Sequence, residues 1–337
     1  MVVAYQSSEQ FAPICMVSLY SLLIHNQHDK DLKVYFLSKD FSQSSLKKVQ
    51  TMMKKLGFNP ENASVVDIND LSERYDLVFD DYDGKWGVDS FCKLLLGKLL
   101  PAEINRVLYL DSDTIIQQNL KELYDIDMGN CVVAAVKDFL SEQYFEFFDL
   151  GKEDVYCNSG VLLVDLNNWR REQIDQRVSD YLKEKQGRVF FSEQTAVNVV
   201  CRGKIKVIDL KYNLTTIPAY LSISEIEALR KPFNAYDEQE IERAKREPAI
   251  IHYTTLFLIC GRAWNIECNH PYKYLFDQCA QQMEAYSPTH ASAKTLNLNR
   301  ILRLIPRKWL CLAVGYYYQQ TRLKKYMRYC NRKQVKE

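Results

Sequence analysis

The chain has 337 residues, with 44 lysines and arginines against 43 aspartates and glutamates, a formal net charge of +1. That balance gives the chain as a whole no basic field for nucleic acid, and none is expected as a partner. The apolar fraction, 47%, is ample for a core, and the length allows one large domain with an appendage or two domains.

From the N-terminus, Val2–Tyr5 reads as a strand and residues 10–26 as a helix, with Phe11, Cys15, Leu19, Leu22 and Leu23 on one face. Lys33–Leu37 is a second strand. Leu46, Val49, Met53 and Leu56 mark a second helix, stopped by Gly57 and Pro60, and Ser64–Ile68 is a third strand. This β-α-β-α-β alternation predicts an α/β fold with a mostly parallel, doubly wound sheet. No glycine-rich loop follows these strands, which excludes a P-loop and a dinucleotide fingerprint. A polar loop spans 80–87, and a helix carrying Lys93 and Lys98 is expected from Asp89 or Ser90 to Leu100.

Arg106–Ile116 organises the rest. An apolar run, Val107-Leu108-Tyr109-Leu110, ends in Asp111-Ser112-Asp113. Two carboxylates leaving a buried strand one residue apart repel each other unless a cation or donors offset them. Ligands of open α/β sheets bind beyond the carboxyl ends of strands, and a hard divalent cation is the simplest partner for such a pair. Further on, Cys131–Val136 is a strand, Phe139–Leu150 an aromatic and acidic helix, and Tyr156–Leu166 a turn feeding a strand. A long helix is expected from Asn167, with Trp169, Ile174, Val178, Tyr181 and Leu182 on its core side, then a helix capped by Ser192. Lys206–Leu210 is a strand, 211–236 irregular, and Ala249–Tyr253 a late strand ending near His252.

The runs Val107–Asp113, Asn158–Leu166 followed by Trp169, Glu193-Gln194 with Asn198, Ile251-His252-Tyr253 and Trp264 come in the order and spacing of glycosyltransferase family 8. The chain resembles that family, which includes bacterial lipopolysaccharide galactosyl- and glucosyltransferases, over about residues 1–270. The resemblance implies a GT-A fold, a nucleotide-sugar donor (usually UDP-hexose), manganese with magnesium as the alternative, a saccharide, glycolipid or protein-linked acceptor, and transfer with retention. It makes Asp111, Asp113 and His252 metal ligands, a carboxylate–imidazole set that suits manganese better than calcium. It puts Ala4, Tyr5, Gln6, Lys93, Ser112, Asn158 and Arg262 against the donor. Glu193 is placed at the sugar and Gln194 closest to the anomeric carbon; an amide there favours front-face attack over a covalent glycosyl-enzyme. Three positions depart from the family: Gln6-Ser7-Ser8 replaces an acidic pair, Lys93 replaces an arginine, and Arg262-Ala263-Trp264 replaces lysine-proline-tryptophan a few residues late.

After Pro271 the alternation stops, and 271–337 reads as a helical extension. From Asn299 onward there are eleven basic residues and one acid, which leaves the body at about −9 and the tail at about +10. Ile301–Leu310 and Tyr316-Tyr317-Tyr318 mix bulky apolar and basic residues, a composition suited to an anionic membrane interface. Removing 296–337 is expected to spare donor hydrolysis. Ten cysteines without a C-x-x-C pair, several inside apolar runs, read as reduced thiols of a cytoplasmic protein, peripheral at the inner face of the cell membrane. No basic n-region precedes an apolar stretch at the start. The competing readings are a haloacid-dehalogenase-like phosphatase, for which Asp111 is late in the chain, and a non-catalytic membrane-associated protein that kept a glycosyltransferase fold.

Overall fold

The computed structural model describes residues 1–80, 87–283 and 286–334. Ten strands occur among them: β1 (Val2–Gln6), β2 (Lys33–Ser38), β3 (Ala63–Asp67), β4 (Arg106–Asp111), β5 (Thr114–Ile116), β6 (Val133–Ala135), β7 (Val161–Asp165), β8 (Ile205–Val207), β9 (Leu214–Thr215) and β10 (Ile250–His252). Seven form a sheet in the order β3-β2-β1-β4-β7-β6-β8. β1, β2, β3 and β4 run parallel, as does the β6–β8 pair, while β7 is antiparallel to both of its neighbours. The central strands are apolar on both faces, as expected of a sheet covered on each side. Val3, Leu108 and Leu163 face one core with the Ala12–His25 helix, and Ala4, Val107 and Val164 face a second core around Trp169.

A smaller sheet, β5-β10-β9, positions the strand ends that matter. β10 is antiparallel to β5 with His252 opposite Thr114, and parallel to β9 with His252 opposite Thr215. The Tyr253 N–H donates to the Asp113 carbonyl at 3.0 Å. The register therefore carries the imidazole of one strand to the turn that ends another.

Several local expectations change. Residues 89–100 are not one α-helix but a 3₁₀ helix, Val88–Leu94, and a short turn, Leu96–Leu99. Every side chain from Ser90 to Leu96 is buried, so the segment packs on all sides instead of keeping a solvent face. The long helix from Asn167 is two helices, Leu166–Arg171 and Ile174–Glu184, broken at Gln173 with φ 53°. Across the break the Asp175 carboxylate accepts from Trp169 Nε1 at 3.0 Å and from the Lys98 N–H at 3.2 Å. Ser192 does not cap its helix; Phe191 holds the cap position, and both have left-handed φ, 62° and 51°. Residues 211–236 hold β9 and the helices Thr216–Tyr220 and Ile223–Arg230, the latter opened by a capping box of Ser222 and Glu225. The loop at 80–87 lies largely outside the described residues.

The C-terminal extension folds back on the body. The Arg307–Tyr317 helix packs on Ile223–Arg230, where a Cβ on Gly315 would lie 2.2 Å from the Ala228 carbonyl oxygen. Arg307 makes a bidentate bridge to Glu225 at 2.9 and 2.5 Å. Tyr326 is buried among Phe147 and Phe190, and the Arg322 guanidinium lies 4.8 Å from the ring of Phe191, two residues before Glu193. A truncation at 296 would uncover that cluster, which adjoins the start of the helix that carries Glu193 and Gln194. All ten cysteines are free thiols, eight of them buried. Among the described residues no helix is long and apolar enough to cross a membrane.

Candidate functional site

The carboxyl ends of β1 and β4, the entry to β7, the start of the Ser192–Val200 helix and the end of β10 surround a cleft of about 510 Å³. Asp111 ends β4, and its N–H donates to the Gly160 carbonyl at 2.7 Å, tying the end of β4 to the segment that enters β7. Ser112 Oγ donates to the Gln6 carbonyl at 2.7 Å, and Thr114 Oγ1 donates to the Asp111 carbonyl at 2.9 Å. The turn is thereby held from both sides, and Asp111 and Asp113 both reach the cleft.

Each carboxylate divides its oxygens. Asp111 Oδ1 accepts from Lys93 Nζ at 3.0 Å and from the Tyr109 hydroxyl at 2.8 Å, while Oδ2 lies 3.7 Å from His252 Nε2. Asp113 Oδ2 accepts from Arg262 at 3.0 Å, while Oδ1 lies 3.2 Å from His252 Nε2. One oxygen of each acid is thus held by a protein cation, and the other is turned toward the imidazole. The three ligand atoms lie within 4.8 Å of one another, and this is the only such cluster among the described residues. Gly160 makes the approach possible: a Cβ there would sit 2.1 Å from His252 Cε1 and 2.9 Å from Asp111 Oδ2. Two carboxylate oxygens and an imidazole nitrogen, closely spaced in a cleft, fit a divalent transition metal with positions open to a ligand.

Charge in the site is compensated. Burial pushes the Asp113 carboxyl up, but His252 and Arg262 outweigh it and hold it below the usual range. Burial would lower the Lys93 ammonium, yet Asp111 and Glu193 raise it on balance. Glu193 lies 3.6 Å from Lys93, and its carboxyl is raised by burial and by Asp111 against the opposing pull of that lysine. Gln194 Oε1 accepts from Asn158 Nδ2 at 3.2 Å and from the Ser159 N–H at 3.3 Å, while its Nε2 donates to Asp138 at 2.9 Å.

Of the residues expected at the donor, Gln6, Lys93, Ser112, Asn158 and Arg262 line the cleft together with Glu193 and Gln194. Ala4 and Tyr5 do not: both are fully buried, and the Tyr5 hydroxyl bonds Ser18 at 3.2 Å inside the core. β1 meets the cleft at Gln6, Ser7 and Ser8 instead, because side chains alternate across the strand and Ala4 and Tyr5 face the two cores. Two residues were missed. Asp138 follows the β6 strand as Asp111 ends β4, so the same strand-end reasoning would have found it. Asn213 is fully buried and bonds His252; an amide between Tyr212 and Leu214 was a cue, since a buried amide needs partners.

A family model described as glycosyl transferase family 8 matches residues 2–261. General stress protein A of Bacillus subtilis is 22% identical over 258 residues, covering 75% of this chain and 83% of that protein. The lipopolysaccharide 1,2-glucosyltransferase of Escherichia coli is 22% identical over 214 residues; 63% of this chain spans 61% of that protein. A crystal structure of the galactosyltransferase LgtC in complex with donor and acceptor sugar analogs superposes with a TM-score of 0.70 at 20% identity, covering 85% of this chain and 98% of that one. That likeness shows the fold, GT-A.

Proposed function

The chain belongs to glycosyltransferase family 8, and on that premise we propose that it moves a hexose, galactose or glucose, from a UDP-sugar to a saccharide, glycolipid or protein-linked acceptor in bacterial cell-surface glycan synthesis, with retention and with manganese. The observation that carries this reading is the Asp111–Asp113–His252 cluster opening into the same cleft as Glu193 and Gln194. A strand-end phosphatase reading falls with the family, and a non-catalytic one is disfavoured by three ligands in reach of one another. Residues 1–270 form the catalytic domain in this reading and 271–337 its extension.

Asp111, Asp113 and His252 would hold the ion, which when bound stabilises negative charge on a leaving diphosphate. Arg262, stacked at 5.1 Å on Trp264, is placed to add a second cationic contact at that end of the cleft. Lys93 is committed to Asp111 and Glu193 and acts by holding both carboxylates in place. Gln194 has its amide bonded at both ends, so it fixes position and is no nucleophile. Glu193 is engaged by Lys93. Both facts favour attack by the acceptor hydroxyl from the side the diphosphate leaves, with a diphosphate oxygen taking its proton.

The extension supplies the proposed membrane contact, at the cytoplasmic face. Leu304, Trp309 and Tyr316 are 85%, 67% and 69% exposed, beside Arg300, Arg303 and Lys308. Replacing Leu304 and Trp309 by serine should abolish pelleting with vesicles of anionic lipid; retained pelleting rejects this contact. The central experiment is a panel of nucleotide sugars with Mn²⁺, scored by nucleoside diphosphate release. Turnover of a UDP-hexose that stops on chelation supports the reading; no release from any donor overturns it.

A further inference from the structure

We propose that Asn213 is a positioning residue that fixes the proton of His252 on Nδ1 and ties that choice to the amide of Gln194. The inference rests on the metal reading above. Four side chains form a continuous line from the metal cluster to the sugar-facing residues. His252 Nδ1 lies 3.1 Å from Asn213 Oδ1, Asn213 Nδ2 is 2.9 Å from Asn158 Oδ1, and Asn158 Nδ2 is 3.2 Å from Gln194 Oε1. Gln194 Nε2 ends the line on Asp138 Oδ2 at 2.9 Å.

The direction of the line follows from groups that can play only one role. The Gly160 N–H can only donate, and it points at Asn158 from 3.0 Å, so the atom it meets is the amide oxygen. The Ser159 N–H, 3.3 Å from Gln194, requires an oxygen there too, which turns the Gln194 nitrogen to Asp138 Oδ2. With the Asn158 oxygen turned to Asn213, Asn213 must present its NH₂ in that direction. Its own oxygen then faces His252, and an acceptor facing Nδ1 requires the proton to be on Nδ1. Nε2 is then the nitrogen turned toward the acids, 3.2 Å from Asp113 and 3.7 Å from Asp111, and the one that a metal held by those carboxylates would meet. Asn213 is fully buried, so no water competes for either of its groups. Backbone N–H groups at Ser159 and Gly160 thus set the tautomer of an imidazole through two asparagines.

The test separates the two ends of the line. Asn213→Leu removes both bonds. Asn213→Asp keeps an acceptor for His252 Nδ1–H but has no donor for Asn158. The tautomer is read from ¹⁵N shifts of histidine-labelled, metal-free protein, and Mn²⁺ affinity from electron paramagnetic resonance of free Mn²⁺. The wild-type protein should show Nδ1–H at His252. Asn213→Leu should lose that signature and bind Mn²⁺ about 10–100-fold more weakly, the usual effect of removing a ligand's outer partner. Asn213→Asp should restore tautomer and affinity while kcat for nucleoside diphosphate release stays depressed. An Nε2–H tautomer in the wild type, unchanged Mn²⁺ affinity in Asn213→Leu, or wild-type kcat in Asn213→Asp overturns the proposal. If Asn213→Leu does not fold, the wild-type spectrum and the Asn213→Asp comparison still decide. A wild-type protein that takes up no Mn²⁺ at all would instead count against the metal reading itself.

Discussion

Gly160→Ala is the smallest change that should dismantle the proposed metal site without touching a ligand. The added methyl would lie 2.1 Å from His252 Cε1, 2.6 Å from Nδ1 and 2.9 Å from Asp111 Oδ2. None of these is the end of a flexible side chain in open space. His252 is buried in a strand paired on both sides, and Asp111 is held by Lys93 and Tyr109. Relief to ordinary contact requires a displacement of roughly 1 Å or more between imidazole and carboxylate, and a misplacement of that size costs on the order of 100-fold in rate. Overpacking adds about 1–3 kcal/mol of destabilisation. The assay is a Mn²⁺ titration of nucleoside diphosphate release, with thermal melts in the presence and absence of Mn²⁺. The expected result is a far higher Mn²⁺ midpoint and a smaller metal-induced rise in Tm. Gly151→Ala, whose nearest neighbour would be Arg202 Nη2 at 3.4 Å, is the control. A Gly160→Ala protein with an unchanged Mn²⁺ midpoint would refute the assignment of this cluster.

Lys93→Met leaves Asp111 and Glu193 facing each other without their shared cation. Removing one partner of a buried pair costs roughly 3–5 kcal/mol, and the lower end applies because Asp111 is partly exposed; Mn²⁺ should raise the Tm of this variant more than that of the wild type, and equal melting curves would sink the idea. The Glu225–Arg307 bridge makes docking of the Arg307–Tyr317 helix depend on pH. Burial alone would raise the Glu225 carboxyl, but Arg307 and Ser222 bring it below its ordinary value, so the stabilisation is complete above the ordinary carboxylate range and is lost as pH falls through the lowered one. Proteolytic cleavage near Pro306 should therefore increase at acid pH in the wild type and be insensitive to pH in Glu225→Gln, which lacks about 1 kcal/mol of docking throughout.

The parallel half of the sheet was legible because period and punctuation agree: β1, β2 and β3 are apolar runs separated by helices of ordinary spacing, with Gly57 and Pro60 marking the second stop. The Asp111–Asp113 turn stood out because two acids one residue apart, after a four-residue apolar run, repel each other unless a cation or donors offset them. What failed is what tertiary packing decides. Lys93 lies on a 3₁₀ segment because its apolar neighbours are wanted on every side at once, a demand that no helical stripe announces. The pairing of β7 antiparallel to β4 leaves no mark in a run that is apolar throughout. Ser222-Ile223-Ser224-Glu225 did carry a readable signal, the capping box, inside a region that looked irregular only because its helices are short. Asn213 was hidden differently: it is one ordinary polar residue, and only the convergence of β10 and the segment entering β7 gives it its partners, His252 and Asn158.

That convergence also sets the sign of the site. Around the cluster stand three carboxylates, Asp111, Asp113 and Glu193, and two cations, Lys93 and Arg262. Counting these five groups alone, the unfilled arrangement carries one uncompensated negative charge, which disfavours a diphosphate. A divalent cation turns that into one net positive charge. At separations near 4 Å and an effective dielectric of 20, each unit pair is worth on the order of 4 kcal/mol. Under the proposed function, cation and donor therefore strengthen each other's binding, and linkage makes that strengthening equal in both directions. The same arithmetic explains why the two protein cations are committed to one oxygen of each aspartate: they reduce the repulsion between the acids enough for the fold to bring them together, yet leave one charge for the ion to reverse.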